Sequence, residues 1–333
     1  FFLADEDVEE QVERLLSGQG SEVTVCDVGL EQSKPATLRK NVTYIVCAVI
    51  FNEKEVLMVQ EAKPDCYKQW YLPAGRVEVG ESLEEAMKRE VKEEAGFESE
   101  PVTLLLIQEQ GPQWIRFIFL AKVTGGSLKS LSAADQESLQ ASWWDRQSEL
   151  QLRGRDILRL IESGLKYRLS PGHPVTLPLD LSCRHVVQRL VLVFVGAEEH
   201  IWVLLIRGDP EPCIIYSAQT HAVTWAANMV VQEAMQSAYY DHDVNTLGVL
   251  SLQHNGRQHG KTDGVCFNTL VALTPDHVQR DEDGRKVEWT PTGQPPRVEH
   301  PCYVWHEVQK QTLREKLLEK TRNAALVPIH SLY

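Results

Sequence analysis

Apolar and polar positions along this chain follow two rhythms, one of helices and one of strands. Residues 3–17 set Leu3, Val8, Val12, Leu15 and Leu16 against acids, the spacing of an amphipathic helix. Residues 18–38 mix Gly, Ser and Pro and break that pattern. Residues 44–50 are a continuous apolar run, which suits a strand covered on both faces. Residues 56–59 follow after Asn52, Glu53 and Lys54, so the two runs predict a hairpin. Further strands are expected at 103–108 and 115–123, separated by Gly111 and Pro112, and at 142–144, with a helix at 156–164. Pro171, Gly172, Pro174 and Pro178 interrupt the pattern across 167–184. Strands then return at 185–195, 201–206, 247–252, 265–273 and 302–305, helices are expected at 225–239 and 308–322, and 275–299 is a long polar loop. Strands interleaved with helices in this order predict an α/β fold with a mixed sheet.

One stretch, residues 75–97, places charge where the helical rhythm asks for apolar groups. Ser82 is a natural N-cap with Glu85 as its capping-box partner, and Gly96 is a natural stop. At about 100° per residue, Leu83, Ala86, Met87, Val91 and Ala95 form one stripe. Glu85, Arg89 and Lys92 fall opposite it, whereas Glu90 and Glu94 flank Leu83 and Glu93 lies beside Ala86. Like charges four residues apart repel by a few tenths of a kcal/mol, roughly, in water. Taking each partly out of water costs several kcal/mol more, as an order of magnitude. A hard divalent cation removes the conflict, because it takes carboxylate oxygens and completes its shell with water and substrate phosphates. An ordinary acidic helix with a solvated face does not account for this burial pattern or for the glycine-bearing entry loop.

The chain has 333 residues, which suits two domains better than one core. The expected division is an N-terminal helix and linker over 1–38, a domain bearing the carboxylate helix over 39–166, a linker over 167–184 and a second α/β domain over 185–333. The net charge of −13 argues against a duplex nucleic-acid partner. It is compatible with a small phosphorylated substrate, because a bound cation reverses the local field. The seven cysteines are dispersed with no C-x-x-C pair, which reads as reduced thiols and not as a disulfide framework or a zinc site. No run of 18 apolar residues suggests a membrane span, and the early acids argue against a signal peptide. A cytoplasmic setting is expected, and oligomeric state is left open.

Gly75, Glu81, Arg89, Glu90, Val91, Glu93, Glu94, Gly96 and Phe97 fill every position of the pattern G-x5-E-x7-R-E-U-x-E-E-x-G-U, where U is a bulky apolar residue. The stretch resembles the Nudix box, and residues 70–75 resemble that family's run into it. The resemblance implies a Nudix α/β/α sandwich, hydrolysis of a phosphorus-containing anhydride, and Mg²⁺ as cofactor with Mn²⁺ able to substitute. It also implies a catalytic set of Glu81, Arg89, Glu90, Glu93 and Glu94. In that set Glu90 and Glu94 ligate the metal, Glu93 is a ligand or the adjacent base, and the Gly75 carbonyl completes the shell. Arg89 pairs with a box glutamate, Glu81 being the natural choice, and Glu137 or Asp135 adds an acid from a later loop. Residues 39–42, 60–63, 116–121 and 137–140 extend the likeness to family members that hydrolyse oxidised purine nucleoside diphosphates such as 8-oxo-dGDP and 8-oxo-GDP, a sanitation of the nucleotide pool. The same box serves nucleotide-sugar and dinucleotide pyrophosphatases. A Nudix-derived binding or regulatory protein is the third reading, and it has no use for three repelling carboxylates.

A nucleobase needs an aromatic or apolar slot with polar edges. Leu57, Phe117 and Trp143 are the leading residues for it, with Tyr71, Trp114 and Trp144 behind them, although each of these aromatics is by itself more often a core residue. The histidines lack metal-ligand spacing, and a lone His221 is expected to be structural or on the surface. The second half repeats the order of elements in the first, but its first helix carries only Glu233. That half is expected to be a degenerate Nudix-like fold without the box, inactive as a hydrolase, with an unrelated α/β domain as the alternative.

Overall fold

The amphipathic pattern near the N-terminus becomes helix α1 (Val8–Leu16), and the apolar run at 44–50 lies inside strand β1 (Thr43–Asn52). The structure, a computed structural model, describes residues 7–23, 34–110, 114–207, 213–218, 223–275, 279–280, 286–287 and 293–332. Leu3, Cys26, Gly111, Pro112 and His221 lie outside these. In chain order there follow β2 (Glu55–Glu61), β3 (Trp70–Tyr71), β4 (Ala74–Arg76), α2 (Leu83–Ala95), β5 (Phe97–Glu109), β6 (Trp114–Gly126), β7 (Ser138–Trp144) and α3 (Asp156–Leu169). The second half supplies β8 (Val186–Val195), β9 (Ile201–Ile206), β10 (Cys213–Ala218), α4 (Val223–Ala234), α5 (Gln236–Tyr239), β11 (His242–Gln253) and β12 (Val265–Pro275). It ends with β13 (Gln279–Arg280), β14 (Lys286–Val287), β15 (Tyr303–Glu307), α6 (Gln311–Asn323) and β16 (Ile329–Ser331). No helix among the described residues is long and apolar enough to cross a membrane.

The elements group into two units. One comprises 35–184, 254–264 and the residues from 327 on, and the other comprises 185–253, 265–326 and the described residues of 1–34. In the first unit β1 is central, parallel to β6 from Thr43↔Trp114 to Ile50↔Ala121. β5 lies antiparallel beyond β6, and β16 adds a parallel edge to β5. The expected hairpin of β1 and β2 is present at its closed end, Phe51↔Val56 and Asn52↔Glu55. The two strands then part. β2 continues with β7 and β3, while β1 takes up β4, with Gly75 opposite Val46. The carboxylate helix α2 leaves from this split. It covers one face of the sheet with Leu83, Ala86, Met87, Val91 and Ala95, all buried. α3 covers the other with Ile157, Leu160 and Ile161, packed on Val49, Val56, Met58, Ile118 and Leu120. Both faces are therefore buried, as the apolar run of β1 requires.

The second unit repeats this pairing. β8 is parallel to β12, β12 is antiparallel to β11, β8 is antiparallel to β9 and β10, and β15 is antiparallel to β9. α4 follows β10 as α2 follows β4, and α6 follows β15 as α3 follows β7. α1, expected as a separate N-terminal segment, packs Val12 and Leu15 in one cluster with Leu313 and Leu317 of α6. The helix expected at 225–239 stops at Ala234, because Met235 has a non-helical φ of −146°, and α5 is a separate turn. β5 begins at Phe97, six residues before the apolar core of its pattern, since its first residues alternate buried and exposed along the sheet's outer end. β10 and β16 were not anticipated. A three-residue strand such as β16 is too short to show a period.

Candidate active site

Local sequence sets both ends of α2. The Ser82 side chain accepts from the Glu85 N–H at 3.2 Å, and Glu85 accepts from the Ser82 N–H at 2.7 Å. Gly96 closes the helix in the left-handed region at φ 85°, where its N–H donates to the Lys92 carbonyl. A Cβ there would fall on the Ser127 carbonyl, so the position admits glycine only.

Arg89 organises the carboxylates. Its Nε and Nη2 donate to the two oxygens of Glu81 at 3.0 and 2.7 Å, a bidentate pair. Nη1 donates to Glu90 at 2.9 Å and to Glu93 at 3.1 Å, and Nη2 also reaches the Arg76 carbonyl at 3.0 Å. Glu81 above all holds the guanidinium charged. Glu90 and Glu94 are buried on the inner side of α2. Glu93, expected at the edge of the buried stripe, is instead exposed and turns toward Arg89. Burial pushes the Glu90 carboxyl up against the opposing pull of Arg89, and Glu137 and Glu93 add to the rise. Glu94 is pushed to about 8, mainly by burial, with Glu90 adding to it and the Ala74 N–H, donating to Glu94 at 2.9 Å, opposing it.

Gly75 has a steric role. A Cβ at this position would occupy the space of the Glu90 carboxylate, so glycine lets that side chain lie against the entry strand. From the other side, the loop before β7 delivers Glu137. One carboxylate oxygen each from Glu90, Glu93 and Glu137 lies within 4.8 Å of the others. Between the two acids that sequence left open, the structure gives Asp135 a structural task. It accepts from Lys129 at 2.6 Å and from the Glu137 and Ser138 N–H groups at 2.9 Å each. Lys129 also donates to the Glu93 carbonyl at 2.9 Å, which ties this loop to α2. The donor set consists of carboxylate oxygens alone, with no thiolate or imidazole, and that fits a hard divalent cation.

Two of the residues expected at the base end are core residues. Leu57 and Phe117 have no exposed surface. Trp143 pairs across from Leu57 and tilts on Phe97 with ring centroids 5.8 Å apart, beyond the C-terminal end of α2. A polar network instead lies on the α3 face. Arg116 donates to Gln108 at 2.8 Å, to the Tyr71 hydroxyl at 2.6 Å and to Asp156 at 2.9 Å, and Tyr71 donates to Asp156 at 2.8 Å. The Trp114 ring lies 6.0 Å from the Arg116 guanidinium. The Cys47 thiol is pushed up to about 12, by burial first. Glu61, also unanticipated, is buried at the end of β2, where Arg153 donates to it at 2.7 Å. Spacing along the chain carries no signal for either group, since their partners come from separate strands and α3.

An α/β/α sandwich with this carboxylate cluster at the split of its sheet defines a metal-assisted hydrolase of phosphoanhydrides. The NUDIX domain model matches residues 42–160. The 8-oxo-dGDP phosphatase NUDT18 of Danio rerio is 50% identical over 334 residues, covering 98% of this chain and 98% of that protein. The Homo sapiens protein of the same name is 41% identical over 336 residues, with 98% and 100% covered. A putative nudix hydrolase 1 of Caenorhabditis elegans is 41% identical over 182 residues, 52% of this chain and 49% of that one. The chain belongs to the Nudix hydrolase family, whose members depend on a divalent metal.

Proposed function

We propose that the protein hydrolyses oxidised purine nucleoside diphosphates, 8-oxo-dGDP and 8-oxo-GDP among them, to the monophosphate and phosphate, with Mg²⁺ as the resident cation and Mn²⁺ able to replace it. The observation that carries the hydrolase reading is the convergence of Glu90, Glu93 and Glu137 beside Gly75. The substrate class is supported by the full-length likeness to relatives of that name.

Glu90, Glu93 and Glu137 would hold the cation, with Glu94 behind them against Ala74. Bound there, a divalent cation would supply charge neutralisation for the diphosphate and activation of water at neutral pH. Arg89, itself fixed by Glu81, keeps Glu90 and Glu93 in one orientation, so little rearrangement is left for the reaction itself. The exposed carboxylates of Glu93 and Glu137 supply the proton acceptor as water oxygen bonds to phosphorus and the anhydride P–O bond breaks.

The test is release of monophosphate by the full chain with Mg²⁺ from 8-oxo-dGDP, 8-oxo-dGTP, ADP-ribose and a diadenosine polyphosphate. Fastest turnover is expected for 8-oxo-dGDP. Turnover of ADP-ribose alone overturns the substrate class, and full activity in Glu90→Gln overturns the metal assignment.

A further inference from the structure

The box entry loop meets a segment far away in the chain. Residues 254–264, which join β11 to β12, form part of the same unit as the box. Gly256, in the left-handed region at φ 73°, lies so close to the Glu81 backbone that a Cβ would fall on the Glu81 carbonyl oxygen and come within 2.6 Å of His254 Cε1. Two residues further back the His254 ring is buried edge-on to Tyr44, with centroids 5.8 Å apart. The Tyr44 carbonyl in turn accepts from the Val77 N–H of the entry loop at 2.9 Å. Neither ring nitrogen of His254 has a hydrogen-bond partner among the described residues, so packing alone fixes the ring. Beyond Gly256, Arg257 comes within 3.5 Å of Glu85, the capping-box residue of α2.

The segment is built to hold its shape. Fully buried Asp263 accepts from the Leu38 and Gly260 N–H groups at 2.9 Å each and pairs with His259 at 2.9 Å. The Gly256 N–H donates to the Thr262 carbonyl at 3.1 Å, and the ends are tied by His254 N–H to Leu179 and Gly264 N–H to Cys183. A loop that merely crossed the surface would need none of these bonds.

We propose that this segment is a wedge for the active site, with Gly256 and His254 as positioning residues for the Glu81–Arg89 pair. The backbone of Glu81 rests on Gly256, its carboxylate grips Arg89, and Arg89 grips Glu90 and Glu93. A shift of the Glu81 backbone therefore reaches the metal-holding carboxylates through two charge-assisted links. The proposal rests on the reading of residues 75–97 as the catalytic site.

The test compares two glycines of the same loop in the full chain. Gly256 and Gly260 share a left-handed φ, 73° and 71°, but a Cβ at Gly260 meets nothing within 4 Å. Gly256→Ala is expected to lower kcat about tenfold or more with KM unchanged, and Gly260→Ala to leave kcat as it is. In a Glu81→Gln background Gly256→Ala is expected to add no further loss, because both act through one link. Equal kcat for the two alanine variants overturns the wedge, and so does a full additional loss in the Glu81→Gln background. Should Gly256→Ala fail to fold, His254→Ala replaces it. Its kcat is expected to fall severalfold and to be restored by His254→Phe, which keeps the ring, and wild-type kcat in His254→Ala overturns the proposal. Failure of the catalytic reading itself would appear separately, as full turnover in Glu90→Gln.

Discussion

Glu90 and Glu94 are both buried carboxylates of α2, yet they are held differently. Glu90 has the Arg89 guanidinium at 2.9 Å, whereas Glu94 has only a backbone N–H. Burial is the first cause of the rise in both; it takes the more deeply buried Glu94 to about 8, while Arg89 pulls Glu90 partly back. His254 is a second buried titratable group, and it gives a stability prediction. Burial lowers it to about 4, with Asp263 and Asp180 opposing. A histidine with a depressed folded-state value binds its proton more readily when unfolded. Stability therefore falls as pH drops from about 6.5 toward about 4. Between pH 7 and pH 5 the loss from this residue is about 2 kcal/mol. Denaturant unfolding of His254→Phe should show a correspondingly shallower fall across that window than the wild type. Equal slopes for the two proteins would remove His254 as the cause.

Among the elements, α2 is the one whose ends and faces are set locally. The reciprocal bonds of Ser82 and Glu85 satisfy two N–H groups that the first turn leaves open. Ser82→Ala is expected to cost about 1 kcal/mol, read as a lowered denaturation midpoint. No change in the midpoint would mean that water replaces the cap without cost. The stripe of Leu83, Ala86, Met87, Val91 and Ala95 is buried as its spacing dictates. Strand ends follow no such local rule. β5 runs from Phe97 because it pairs with β6 as far as Gly126, and β16 exists because β5 offers it an edge.

Over the whole molecule, one pattern of strand pairing occurs in both units, but the chemistry does not. α4 stands where α2 stands, and its Glu233 is exposed and accepts from the Tyr303 hydroxyl at 3.1 Å. Among the described residues the only cluster of acids with metal-holding geometry is that of Glu90, Glu93 and Glu137. Glu233→Gln is accordingly expected to leave kcat and KM for the nucleotide unchanged, while Glu90→Gln abolishes most turnover. A large loss in Glu233→Gln would place a second reaction centre in that unit. The unit that holds the box is itself not one continuous stretch, because residues 254–264 and those from 327 on return to it from the second half.

By itself the sequence determined the box helix, its cap and stop, its buried face and the acids misplaced upon it. All of these depend on residues within a few turns of one another, where helical spacing alone decides which side chains share a face. The same local logic made β1 legible as a strand buried on both faces. Only the tertiary structure brings Glu137 within 4.8 Å of Glu90 and Glu93 while Lys129 and two backbone N–H groups engage Asp135. It alone buried Leu57 and Phe117 completely, drew Tyr71, Gln108, Arg116 and Asp156 into one network, and set Gly256 against Glu81. Aromatic residues in a strand pattern carry no mark of whether a core or a ligand will cover them. Contacts between distant segments are fixed by how the sheet splits and how loops return to it, and no period along the chain records that.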